Sequence, residues 1–188
     1  MIYFPNLLLI GGASRNVGKT TFSCSVINHF SKKTEIIGVK IKTVYKNDSF
    51  FHGKNNFPDG SDYQIIEEFD TESNEDTAKM LNNGAKRVFR IRTKIDFIEK
   101  AYLELIENIG YNSIIISESN SLRTSFQPGV FLLIKHLHLS EIKPSAKKME
   151  NLADKIIFSD GKNFDFSPEN LKITNNGWKI NLNNPIFS

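Results

Sequence analysis

The residues best suited to chemistry are Gly12-Ala13-Ser14-Arg15-Asn16-Val17-Gly18-Lys19-Thr20, which match G-x-x-x-x-G-K-[ST] at every fixed position. The chemistry of this spacing is anion binding. Glycines let the backbone curl until successive N–H groups face a phosphate, and a helix opening near Gly18 adds the positive end of its dipole. Lys19 is placed for the β- and γ-phosphates, and the Thr20 hydroxyl for Mg²⁺. Gly12, Ser14, Asn16, Val17, Gly18 and Thr21 complete the expected cradle, and Arg15 could reach a γ-phosphate or point to solvent. The expected ligand is GTP or ATP with Mg²⁺; the residues do not choose the base.

A second acidic group is expected at the end of a neighbouring buried strand. Ser113-Ile114-Ile115-Ile116-Ser117-Glu118 supplies it. Glu118 could hold the metal, through a bound water, or act as a base toward a nucleophile. The polar stretch Ser119 to Arg123 follows, with Asn120 and Arg123 as candidate substrate contacts outside the strand ends. Lys40 and Lys42 share one face of the Glu35–Ile41 strand and its end. They could take a phosphate of a second substrate, or be solvated surface lysines.

These groups need a scaffold of alternating strands and helices. Asn6–Gly11 reads as a buried strand, Lys19–Phe30 as a helix and Glu35–Ile41 as the next strand, together one βαβ unit. Residues 44–75 read as a long loop insertion with an apolar island at Tyr63–Phe69. A short helix over Asn74–Asn83 closes at Gly84, and Asp76 is kept as a group of interest because it opens that helix. Arg87–Arg92 alternates as a strand, and Asp96–Asn108 is a helix with an Asp96/Glu99 capping box. Strands at 113–116, 130–134 and 155–158, a helix over 145–153 and a hairpin in 170–188 turning at Asn176-Gly177 complete the pattern. Such alternation implies an α/β fold, a three-layer sandwich around a mostly parallel central sheet, in a single domain over 1–188.

Composition narrows the function classes. The 188 residues carry 24 Lys and Arg against 21 Asp and Glu, a net charge of +3. Without a dense basic run, no nucleic-acid partner is expected. The apolar N-terminus breaks at Gly11 and is too short to span a bilayer, so no membrane partner is expected and the cytoplasm is the expected compartment. The lone Cys24 excludes an intramolecular disulfide and a cysteine-based zinc site. His136 and His138 lack a third ligand. Thr93-Lys94-Ile95-Asp96 matches a guanine-reading T-K-x-D variant, but it precedes the acidic strand and the capping role of Asp96 is simpler.

Four stretches carry a family resemblance: GGASRNVGKTT at 11–21, GVKIKT at 38–43, DTAKMLNNGAKRVF at 76–89 and IIISESNSLR at 114–123. In order and rough spacing the chain resembles, over about residues 6 to 135, the P-loop proteins of the molybdopterin-guanine dinucleotide biosynthesis accessory family (the MobB-like group). That family's second stretch reads more like G-x-I-K-H-T-H and its acidic strand ends in Glu-Gly or Glu-Ser-Gly; this chain departs at both. The signature lysine of some dimeric ATPases of the superfamily is replaced by Ala13. The resemblance implies a P-loop fold and a slow, GTP-binding accessory NTPase serving a protein partner, with a homodimer left open. The alternative is a small-molecule kinase or ATP-dependent ligase, its acceptor held under the 44–75 loop.

Overall fold

The computed structural model describes residues 1–44, 57, 60–137 and 144–181. Most of the expected loop from 44 to 60, His138 and the tail from 182 lie outside the described residues. Along the chain run β1 (Ile2–Gly12), α1 (Lys19–Phe30), β2 (Ile36–Val44), β3 (Tyr63–Glu68) and α2 (Asp76–Asn82). Then follow β4 (Arg87–Lys94), α3 (Ile98–Ile109), β5 (Ile114–Glu118) and β6 (Phe126–His136). The chain closes with α4 (Pro144–Glu150), β7 (Lys155–Ser159), β8 (Leu171–Thr174) and β9 (Gly177–Ile180).

Seven strands form one sheet in the order β3-β4-β2-β5-β1-β6-β7. Every pairing is parallel except β3 with β4. The central strand shows why. Leu7 to Ile10 of β1 are fully buried, an apolar run that only a sheet covered on both faces can accommodate. Strand alternation then divides the core. Leu8, Ile10, Ile116, Leu132 and Ile134 pack with Phe22, Val26 and Ile27 of α1 and Met80 of α2. Leu7, Leu9, Ile115, Phe131 and Leu133 pack with Ala101, Tyr102 and Leu105 of α3 on the other side. The result is an α/β arrangement with helices on both faces of a mostly parallel sheet.

Several elements differ from the sequence expectation. The apolar island at 63–69, expected within a loop, is the antiparallel edge strand β3, because Ile65 reaches the α3-side core while Glu67 and Glu68 meet arginines of β4 and the turn above it. β1 and β6 are longer than their apolar runs, since Ile2 to Phe4 pair with Phe126 to Pro128 across an irregularity before Leu8. Asp96 is not the cap residue of α3. Asp96 lies in a 3₁₀ turn at Ile95–Phe97, and α3 starts at Ile98 with Phe97 as its cap and no side-chain cap bond.

The C-terminal hairpin β8–β9 turns through Asn175 and Asn176, with Gly177 at φ +85°. A Cβ at Gly177 would lie 2.1 Å from the Pro5 carbonyl oxygen, so this close approach admits only glycine. The hairpin delivers Trp178, fully buried, edge-on to Phe30 with ring centroids 4.9 Å apart. It thereby pins the end of α1, whose beginning carries Lys19 and Thr20. Trp178→Ala is expected to cost about 3–5 kcal/mol of folding stability. Urea denaturation followed by far-UV circular dichroism measures it, and a loss below about 1 kcal/mol would show that the hairpin does not anchor the core.

Candidate functional site

The site follows from parity. On β5, Ile114 and Ile116 face the α1 side, so a count of two brings Glu118 to the same face. On β2, Ile36 sets that face, and Gly38 and Lys40 follow it. Register then pairs Glu118 with Lys40 on one side and with Ile10 on the other. Thr20 sits in the first turn of α1, above these strand ends. The sequence pattern therefore brings a carboxylate, an ammonium and a hydroxyl together without any loop having to search for them.

The contacts are direct. Glu118 is 1% exposed, and its Oε2 accepts hydrogen bonds from Lys40 Nζ at 2.5 Å and Thr20 Oγ1 at 3.2 Å. Lys40 Nζ also lies 2.7 Å from Oδ2 of Asp76, the first residue of α2. Asp76 in turn stands beside the Thr20 hydroxyl, whose proton goes to Glu118. Burial alone would lower the Lys40 pKa, but the charge of Glu118 and the bonds to both carboxylates outweigh it and hold it above 10.5. Burial would raise Asp76, yet the bond and charge of Lys40 and the neighbouring Thr20 hydroxyl keep it below 3.8. The raised Lys40 contributes stability that is full below pH 10.5 and lost as pH climbs through its higher folded value. The lowered Asp76 contributes stability present above pH 3.8 and lost as pH falls through its lower one.

The 12–20 loop is held at several points. Asn120 Oδ1 accepts from the Gly12 N–H at 2.9 Å while Asn120 Nδ2 donates to the Gly12 carbonyl, also at 2.9 Å. The Ala13 N–H bonds the Ile134 carbonyl, and Val17 is fully buried in the α1-side core. Asn16 (φ +57°) and Gly18 (φ +91°) supply the left-handed turns that aim the loop into α1. Lys19 lies back across the loop: a Cβ on Gly12 would meet its Cδ and Nζ at 2.9 Å, and Nζ is 3.5 Å from the Ser14 carbonyl. Arg15, Asn16 and Thr21 are exposed, and Ser14 and Gly18 half-buried.

Not every predicted residue arrives. Arg123 is buried, with Nη1 toward the Phe126 carbonyl and Met1 Sδ, at the starts of β6 and β1 and so at the opposite end of the strands from the loop. The short 3₁₀ turn over Ser121–Thr124 carries it away. Asn120 is present, but its amide serves the Gly12 peptide. Lys42 is exposed, one alternate position beyond Lys40.

One neighbour escaped sequence reasoning. The turn after β7 packs on the loop, with the Phe164 ring and the Gly161 carbonyl 2.9 and 3.2 Å from where a Gly18 Cβ would be. Asp160 shapes that turn by accepting from the N–H groups of Lys162 and Asn163 and the Asn163 amide, which draw its carboxyl down to about 2. The run Ser159-Asp160-Gly161-Lys162-Asn163 at a parallel strand's C-terminal end was the available signal.

The donors suit a hard divalent cation. They are the Thr20 hydroxyl, the Asp76 carboxylate and Glu118 Oε1, which is buried with no hydrogen-bond partner among the described residues. Among the described residues no three His, Cys, Asp or Glu side chains converge. The chain would therefore supply two or three oxygens, in keeping with the reluctance of Mg²⁺ to shed its water. No helix among the described residues is long and apolar enough to cross a membrane. Comparison with protein-family models, curated proteins and solved structures returns no match for this chain.

Two outcomes test this geometry. Lys40→Met strands a buried carboxylate and is expected to cost on the order of 3 kcal/mol. Adding Glu118→Gln should restore most of it; equal losses in both variants, read from urea midpoints, would deny the coupling. Cys24, one helical turn past Thr20, is buried, and burial together with the charges of Glu118 and Asp76 pushes its thiol up to about 12. Iodoacetamide near neutral pH should leave the native thiol unmodified and label it only in denaturant; rapid native labelling, followed by mass spectrometry, would contradict this burial.

Proposed function

We propose that this chain is a P-loop protein that binds GTP or ATP with Mg²⁺ and hydrolyses it slowly, in an accessory role toward a partner. The single observation that carries the reading is the meeting of Thr20 with the buried Glu118 at the end of the 12–20 loop, with Lys19 laid back across Gly12. A glycine turn needed only to join a strand to a helix has no use for that arrangement. It requires neither a buried carboxylate under the helix start nor a lysine folded over the loop entrance.

Each residue then has a task. The N–H groups of the loop and the start of α1 hold the phosphate chain, and Lys19 neutralises its β- and γ-oxygens. Thr20, with Asp76 or Glu118, holds Mg²⁺, which when bound screens the charge of the β- and γ-phosphates. Lys40 balances the two carboxylates, so they can sit 2.5 and 2.7 Å from one ammonium without opposing each other unshielded. Asn120 fixes the first glycine of the loop relative to the strand that bears Glu118.

The kinase or ligase reading also has one observation in its favour. Glu118 Oε1, buried and without a hydrogen-bond partner among the described residues, is suited to accept a proton from a nucleophile. The cytoplasm is the compartment this reading implies.

Calorimetric titration with non-hydrolysable ATP and GTP analogues plus Mg²⁺ tests the proposal. One analogue should bind to the wild-type chain, and Lys19→Ala should weaken it at least tenfold, about 1.4 kcal/mol. Absence of binding by either analogue would sink the nucleotide reading.

A further inference from the structure

Lys40 stands where a cation would be held. Its ammonium bridges two carboxylates, 2.5 Å from Glu118 Oε2 and 2.7 Å from Asp76 Oδ2, and the Thr20 hydroxyl donates to the same Glu118 oxygen at 3.2 Å. These are the groups that suit a hard divalent cation, already gathered around a monovalent one. Strand order put it there. Lys40 lies in register with Glu118 on the adjacent strand, and Asp76 reaches it as the first residue of α2, whose Met80 packs at Gly38.

The match is incomplete in charge and in hydrogen bonds. Two carboxylates face one ammonium, so one formal negative charge is left over. Lys79, exposed on α2, acts on Asp76 only through space. Glu118 Oε1 is buried without a hydrogen-bond partner among the described residues, while the ammonium engages Oε2. A divalent cation with its water shell suits both shortfalls.

The ammonium stands in its way. Like charges at contact range repel strongly where water is excluded, and the Glu118 side chain has no exposed surface. Side-chain exposure is 25% for Lys40 and 39% for Asp76, so the centre opens on the Asp76 side and the flexible lysine stem has a way out. Its other neighbours on that face are cationic. Arg90 is its register partner on β4, and Lys42 follows by alternation. Lys40 therefore leaves the carboxylates only when something stronger claims them.

We propose that Lys40 competes with the divalent cation for Glu118 and Asp76: ammonium and metal take turns on these carboxylates, and Lys40 sets how tightly the chain holds Mg²⁺. A lysine that served folding alone would stay in place with the metal bound beside it. That the cation arrives with a nucleotide rests on the function proposed above; the competition for the carboxylates does not.

The test titrates the full chain, without nucleotide, with Mn²⁺ in place of Mg²⁺, and reads free Mn²⁺ by electron paramagnetic resonance. Lys40→Met should bind Mn²⁺ at least about tenfold more tightly than the wild-type chain. Lys79→Met removes a nearby positive charge outside the centre and should gain less than about threefold. Lys40→Met combined with Glu118→Gln should lose the gain. Mg²⁺ should also raise the urea midpoint of Lys40→Met more than that of the wild-type chain. In the wild-type chain, the Lys40 ammonium resonance, followed by ¹⁵N NMR and identified by its loss in Lys40→Arg, should move as Mg²⁺ is added. This last measurement decides the matter even where Lys40→Met does not fold. No binding, or equal affinity, in the wild-type chain and Lys40→Met would overturn the competition, as would an equal gain in Lys79→Met. So would Mg²⁺ shifts at the amides of Thr20, Asp76 and Glu118 with the Lys40 ammonium unmoved. A failed nucleotide reading would instead appear as no analogue binding with the Lys40→Met gain intact.

Discussion

A carboxylate with no exposed side-chain surface cannot be left alone in the interior, and the site is organised around that constraint at Glu118. Its charge is matched by Lys40 from the adjacent strand, and the same ammonium reaches Asp76 at the start of α2. Thr20 closes the group from α1. Four elements that are far apart in the chain thus share one electrostatic centre. Such a pair contributes little net stability compared with an apolar replacement, because desolvation offsets most of the attraction. Its effect is on placement: it ties α1, α2, β2 and β5 to one another beside the 12–20 loop.

Much of this was legible in the residues. The glycine loop has a fixed pattern, and Ile114 to Glu118 announces a buried strand that ends in an acid. Lys40 was readable as a residue on the correct edge, though not as the partner of Glu118. That pairing depends on β2 and β5 being neighbours, which is a property of strand order and not of either segment. β3 escaped for a similar reason: Tyr63 to Glu68 is weakly apolar, and only antiparallel pairing with β4 makes it a strand. Arg123 misled because polar residues after an acidic strand suggest a crevice, whereas a single turn of 3₁₀ helix takes it toward the far end of the sheet. The turn at 160–164 meets the loop from forty residues beyond the acidic strand, a proximity no local pattern encodes.

Local preference and tertiary demand agree in most of the fold and part company at the loop. Asn16 takes a left-handed conformation, and Gly18 does so while an aromatic ring presses against it. Conformations of this kind persist only when their surroundings fix them. Here the fixing groups are identifiable: the hydrogen bond from Ala13 to Ile134, the buried Val17, the ring of Phe164 and the two hydrogen bonds between Asn120 and Gly12.

The last of these has a consequence for how the chain can vary. A Cβ at Gly11 would come within 2.5 Å of Asn120 Oδ1, and Gly12 gives both its peptide groups to the same amide. Gly11, Gly12 and Asn120 are therefore a single unit of substitution. A larger residue at position 11 would collide with Asn120, the Phe131 ring and Leu133, and a smaller one at 120 releases the Gly12 N–H and carbonyl together. Drift at any one of the three is tied to drift at the others, although 108 residues separate Asn120 from the glycine it grips.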